Sequence, residues 1–141
     1  MILAEKILLL AAVGQVSLTM VVLYILGRRR LPLIAAKKIK IADIATGPDA
    51  WPLEAKLAHN NFANQFQLPV LFYALLALVV ASGMATAWMA ALAVAFVVSR
   101  ILHTIIHITS NRVKRRFVIY VVGMALLGVM WLGFAIQIIL A

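Results

Sequence analysis

Four runs of apolar residues, each about as long as a bilayer is thick, constrain this chain more than any other feature. A hydrocarbon core of about 30 Å is crossed by roughly 20 helical residues. Runs of that length lie near residues 5–27, 62–82, 86–108 and 117–140. The chain is 66% hydrophobic over 141 residues, with a mean hydropathy of +1.10. Only 12% of residues are charged, against about 25% in an ordinary soluble domain. A soluble core of this size has no room for so much apolar surface. The expectation is therefore an all-α integral membrane protein, a single domain over residues 1–141 built as a bundle of four transmembrane helices.

The first run could be mistaken for a secretory signal. Its apolar stretch from Ile7 to Leu26 is too long for that, and it ends on Arg28-Arg29-Arg30, a stop-transfer pattern. It reads as a retained span. The loop after it, "RRRLPLIAAKKIKIADIATGPDAWPLEAKLAH", holds seven lysines or arginines, and the third loop, "SNRVKRR", holds four. The loop around Ser82-Gly83-Met84 holds none. Basic loops stay in the cytoplasm, so both termini are expected outside it, as in a multi-pass protein of a bacterial inner membrane. The formal net charge of +9 thus reads as membrane orientation, and nucleic acid is not expected as a partner. With no cysteine, disulfides, thiolate metal sites and cysteine nucleophiles are excluded.

Polar side chains at membrane depth must face one another or a wet cavity. The second span opens with "HNNFANQFQLPVLFYALL", in which Asn61, Asn64 and Gln67 follow at spacings of three and form a polar stripe. Asn64 and Gln67 read equally as interhelical glue or as ligand contacts. Asn60 and Asn61 read as caps or solvated groups at the interface. Pro69 conflicts with the carbonyl of Gln65, so a kink is expected there. The third span ends in "RILHTIIH", which puts Arg100, His103 and His107 on one helical face, and Asn111 continues the row one turn later. Snorkelling accounts for an arginine near the boundary but not for two histidines aligned with it. A pairing of Arg100 with Gln67 or Asn64 accounts for part of the set, and a polar pocket between the second and third spans accounts for all of it. His103 and His107 could share a metal ion only with a third ligand, and neither His59 nor Asp49 stands at a recognisable spacing, so no metal site is expected. A proton relay would lack the intramembrane carboxylate that such relays use.

Before the fourth span come Arg112, Lys114, Arg115 and Arg116. Lys114 and Arg115 read as topology signals. Arg116 shares a helical face with Tyr120, and an arginine beside a polar pocket suits a carboxylate because its planar fork pairs bidentately. The guest expected of such a pocket is an anionic small molecule, with a lipophilic partner arriving through the bilayer. Gly123, Gly128 and Gly133 would let a neighbouring helix approach the fourth span closely.

The segments "NFANQFQLPVLFYAL" and "RILHTIIHITSNRVKRRF" resemble the MAPEG family, membrane-associated proteins in eicosanoid and glutathione metabolism, and are most like a bacterial branch of it. The resemblance covers the second to fourth spans. It implies a four-helix protein assembling as a homotrimer, with glutathione bound between subunits near the cytoplasmic face. Asn64 matches the family's asparagine in the second span, and Arg100 and His103 match the arginine and histidine of the third. Arg116 and Tyr120 match the arginine and tyrosine that the family uses for glutathione binding and thiolate activation, the catalytic pair here if the chain is an enzyme. Arg100, His103, His107, Arg112, Asn64 and Gln67 would then be ligand-binding. The departures are Gln67 in place of a glutamate, His107 where a tyrosine is common, and Asn60 and Ala63 where arginines stand. Three functions stay open on this reading: a glutathione-dependent transferase or peroxidase acting on lipophilic electrophiles, a non-catalytic protein that binds an anionic lipid or metabolite, and a small transporter.

Overall fold

The computed structural model describes residues 1–45 and 47–141, and most of these are helical. Helix α1 covers Leu3–Ala35, α2 Leu53–Asn64, α3 Leu68–Ala81, α4 Ala87–Ile108 and α5 Val113–Leu140, with one 3₁₀ turn at Ile41–Ile44 in the first loop. Helices α2 and α3 together make the second span, so five helices form four membrane crossings. All four expected spans are present, and the chain is a multi-pass membrane protein.

Helix α1 runs further than the hydropathy reading for a clear reason. It does not stop at the arginines but carries Arg28, Arg29 and Arg30 and even Pro32 before ending. Hydropathy reports contact with lipid, whereas a helix lasts as long as its backbone hydrogen bonds do, and these continue into water. The close comes at Lys37, whose φ of 53° is left-handed. The Lys37 and Lys38 amides bond back to the carbonyls of Ile34 and Leu33 at 2.9 Å each, a Schellman ending. Gly83 closes α3 in the same way, its φ of 69° letting the Met84 amide reach the Val79 carbonyl at 3.1 Å.

The break in the second span lies at Gln65–Gln67, just before Pro69 in the first turn of α3. Proline lacks the amide that would take up the Gln65 carbonyl, and the backbone answers with tighter turns, Phe66 to Ala63 at 3.1 Å and Gln67 to Asn64 at 3.4 Å. The expected kink is thus a full interruption.

Packing divides the bundle in two. The half remote from the arginines is apolar: Leu8 of α1, Phe72, Leu75 and Val79 of α3, Met89, Ala93 and Phe96 of α4, and Met130 of α5 are all nearly or fully buried. Phe72 stacks on Phe96 with ring centroids 4.4 Å apart. In lipid such contacts hold by close packing, since the surrounding chains are as apolar as leucine. The other half is polar inside and tied at its rim. Arg29 donates to the carbonyls of Glu54 at 2.8 Å and Ile108 at 3.0 Å, clasping α1 to α2 and α4. Arg30 lies 4.6 Å over the buried Trp51 ring.

Candidate functional site

A cavity of about 230 Å³ opens at the polar end between the second span, α4 and α5. The interruption after α2 presents Asn64, the last residue of that helix, and Gln67, which precedes α3. His103 enters from α4, and Val113, Arg116, Phe117 and Tyr120 come from the first two turns of α5. Five of the residues expected at a site therefore share one cavity: Asn64, Gln67, His103, Arg116 and Tyr120. Phe117, 64% exposed at its edge, and Val113 give that wall an apolar lip.

Arg116 is anchored from one side. Its Nη1 donates to Asn111 Oδ1 at 2.8 Å. Asn111 can stand there because asparagine tolerates its left-handed φ of 44°. The clamp leaves the other edge of the guanidinium without a side-chain partner among the described residues. None of the lining residues is acidic. The chain's four carboxylates are Glu5 near the start of α1, Asp43 and Asp49 in the first loop, and Glu54 in the first turn of α2. The cavity is therefore cationic and rich in donors, with nothing to neutralise a bound cation.

Behind the wall lies the row on α4. Arg100, His103 and His107 are 0%, 2% and 1% exposed, so Arg100 does not snorkel. Nor does it pair with Gln67 or Asn64, as one sequence reading had it. Its Nη2 donates to His103 Nδ1 at 3.4 Å, and its guanidinium carbon lies 5.6 Å from the centre of the Tyr120 ring. Its Nε and Nη1 have no partner among the described residues. His107 meets Asn64 across the bundle, Nδ1 to Nδ2 at 3.4 Å, and stacks edge-on to His103 at 5.5 Å. Arg100 and His107 thus back the cavity rather than line it. Arg112 stands apart: it caps the start of α5, exposed and outside the cavity.

Asn61 needs correcting. Instead of a solvated interface residue it is fully buried, in an amide cluster that the sequence reading missed. Gln15 of α1 donates to Gln65 Oε1 at 3.0 Å, and Gln65 Nε2 reaches the Asn61 carbonyl at 3.3 Å and Thr104 Oγ1 at 3.4 Å. Thr104 in turn donates to Asn61 Oδ1 at 3.3 Å. Gln15 and Gln65 are 0% and 1% exposed. The cluster joins α1, the broken span and α4 directly behind the interruption. The signal was present, since Gln15 is the one amide within the first apolar run. The stripe reading missed its partner because it followed helical spacing through Gln65, where the chain instead leaves the helix.

Among the described residues no group of three or more His, Cys, Asp or Glu side chains is placed to hold a metal ion. Chemically, the arrangement offers a guanidinium, an imidazole, two amides and a phenol around one small space, open beside an apolar lip. A model of the MAPEG family matches residues 8–136. Comparison with curated proteins and with solved structures gave no match.

Proposed function

The chain belongs to the MAPEG family, and from that premise we propose that its cavity binds an anionic thiol, glutathione the first candidate, and turns the thiolate on a lipophilic electrophile or peroxide. The observation that carries this reading is the convergence of Arg116, His103, Tyr120, Asn64 and Gln67 on one carboxylate-free cavity of about 230 Å³. A cationic donor set at a protein–lipid boundary favours the charged form of a thiol over the neutral one. Arg116 is the group for the sulfur anion or a carboxylate, with Tyr120 donating a hydrogen bond from the next turn of the same face. The lip formed by Val113 and Phe117 suits a second reactant dissolved in the bilayer. With an electrophile the sulfur would bond to carbon as the leaving group departs with the bonding pair, and with a peroxide it would take the terminal oxygen as the O–O bond breaks, the alkoxide taking a proton from water.

The same wet, cationic space also suits an anionic lipid or metabolite held without chemistry, and the lip at Phe117 favours that second reading over a transport path. Assembly belongs to the proposal too. About half of the third span's apolar window is buried within the subunit, but only 22% of the first and fourth. The outer faces of α1 and α5 are thus free for lipid or for other copies, in a homotrimer on the family's pattern, with both termini outside the cytoplasm of a bacterial inner membrane.

Calorimetry on the detergent-purified protein tests the ligand. Glutathione should bind the wild type, and Arg116→Ala should weaken it at least about tenfold, the loss of one hydrogen bond to a charged group. No heat of binding in the wild type, together with retention of a copurified anionic lipid, would replace the thiol reading with the second one.

A further inference from the structure

The contact between Arg100 and His103 fixes more than two side-chain positions. A guanidinium carries five N–H donors and no acceptor. With Arg100 Nη2 at 3.4 Å from His103 Nδ1, the ring nitrogen has to accept. In a neutral imidazole one nitrogen accepts and the other bears the proton, so the proton belongs on Nε2. The opposite tautomer, or an imidazolium, would set two N–H groups head to head between side chains 0% and 2% exposed. Among the described residues His103 is the one side chain that Arg100 hydrogen-bonds. Its Nε and Nη1 are already unpaired, and no carboxylate bonds to it. The groups that face His103 are Arg100 and His107 on its own helix and Tyr120 and Arg116 on α5, where Tyr120 has its ring 5.9 Å away.

The two histidines differ in what their second nitrogen meets. His107 Nε2 is sealed in the packing without a partner among the described residues. His103 lines the cavity, and Nε2 is the ring nitrogen not engaged by Arg100. We infer that Arg100 is a positioning residue that holds His103 as a neutral imidazole with its Nε2–H presented to the cavity, so that His103 meets the ligand as a hydrogen-bond donor and not as a base. This rests on the cavity being the ligand site. It assigns three donors, from His103, Arg116 and Tyr120, to one anion, and it leaves water to take the proton of any thiol that ionises there.

The test is nitrogen NMR on full-length protein labelled with ¹⁵N-histidine, in nanodiscs at neutral pH and without ligand, the His103 signals being those lost in His103→Gln. His103 should show an unprotonated Nδ1 and a protonated Nε2 as a single form. Arg100→Met should yield a tautomer mixture, and Arg100→Lys, which keeps a donor, should restore the single form. A protonated Nδ1 in the wild type overturns the inference, as does an unchanged tautomer in Arg100→Met. Should the methionine variant fail to fold, the wild-type and lysine spectra decide. In a glutathione titration His103→Phe should weaken binding about tenfold and His103→Gln, which retains an N–H, by much less. Equal losses in the two overturn the donor role. Because the spectra are read without ligand, a wild type that ignores glutathione sinks the thiol reading while the tautomer is still decided.

Discussion

At the scale of single residues, the site depends on Asn111 as much as on the arginine it holds. Asn111 does two jobs, accepting a left-handed backbone and accepting the Arg116 hydrogen bond at 2.8 Å. Two substitutions separate them. Asn111→Gly keeps the backbone and loses the anchor, so thermal stability should hold within a few tenths of a kcal/mol while glutathione affinity falls severalfold. Asn111→Ala should lose both, adding about 1 kcal/mol of backbone cost. Thermal melts beside calorimetry would read the difference, and unchanged glutathione affinity in both variants would show that Arg116 needs no anchor. Arg116 and Tyr120 were legible in sequence from their shared face, and they do share the cavity. Asn111 was legible only as one more polar residue in a row, since its backbone angle and its reach across the turn exist only once both helices are in place. Asn61 and Gln65 were lost to the opposite error. Their burial is a property of where α1 and α4 lie, which no local spacing records.

At the scale of elements, the interruption of the second span decides which residues reach the ligand space. An unbroken helix would carry Asn64 and Gln67 on a spiralling stripe, and the break brings both to one cavity. Pro69→Ala supplies the missing amide for the Gln65 carbonyl and so favours a continuous helix. Ligand affinity should fall at least severalfold while helix content by circular dichroism does not. Unchanged affinity would mean that the amide cluster alone holds the break. That cluster is worth little per bond, roughly 0.6 kcal/mol on average in membrane interiors, so its effect lies in direction more than in strength. The three glycines of α5, alike in sequence, differ in the fold. A Cβ at Gly123 would come within 2.8 Å of Ser99 Oγ and one at Gly133 would run into the Trp88 ring, whereas Gly128 faces open space. Gly123→Ala should destabilise the protein by about 1–3 kcal/mol and Gly128→Ala should leave the subunit's melt unchanged. A shift in oligomer mass with Gly128→Ala alone would place that face between subunits.

At the scale of the whole molecule, the four crossings were readable because lipid imposes a length and a composition on anything that spans it. Orientation was readable only as an expectation, and the absence of cysteine makes it easy to examine. Single replacements Ser110→Cys, in the basic loop after α4, and Ser82→Cys, in the loop after α3, should label with an impermeant thiol reagent from opposite sides. Ser110→Cys should react only from the cytoplasmic face, and the reverse pattern would invert the topology. Native mass spectrometry should show three chains per particle; a monomer retaining its ligand would remove the inter-subunit part of the proposal.

The clasp at Arg29 also has a place in time. Its two acceptors are 25 and 79 residues further along the chain. At a synthesis rate of about 5–20 residues per second, Ile108 emerges roughly 4 to 16 s after Arg29. Until Ile108 has been made the clasp cannot close, and in that interval Arg29 belongs with Arg28 and Arg30 to the basic stretch that reads in the sequence as a stop-transfer signal. Only when the third span has been delivered does it exchange that task for tying helix ends together. One side chain thus serves first the biogenesis of the protein and then its finished form, and a lysine in its place could do the first but would lack the fork needed to hold both carbonyls.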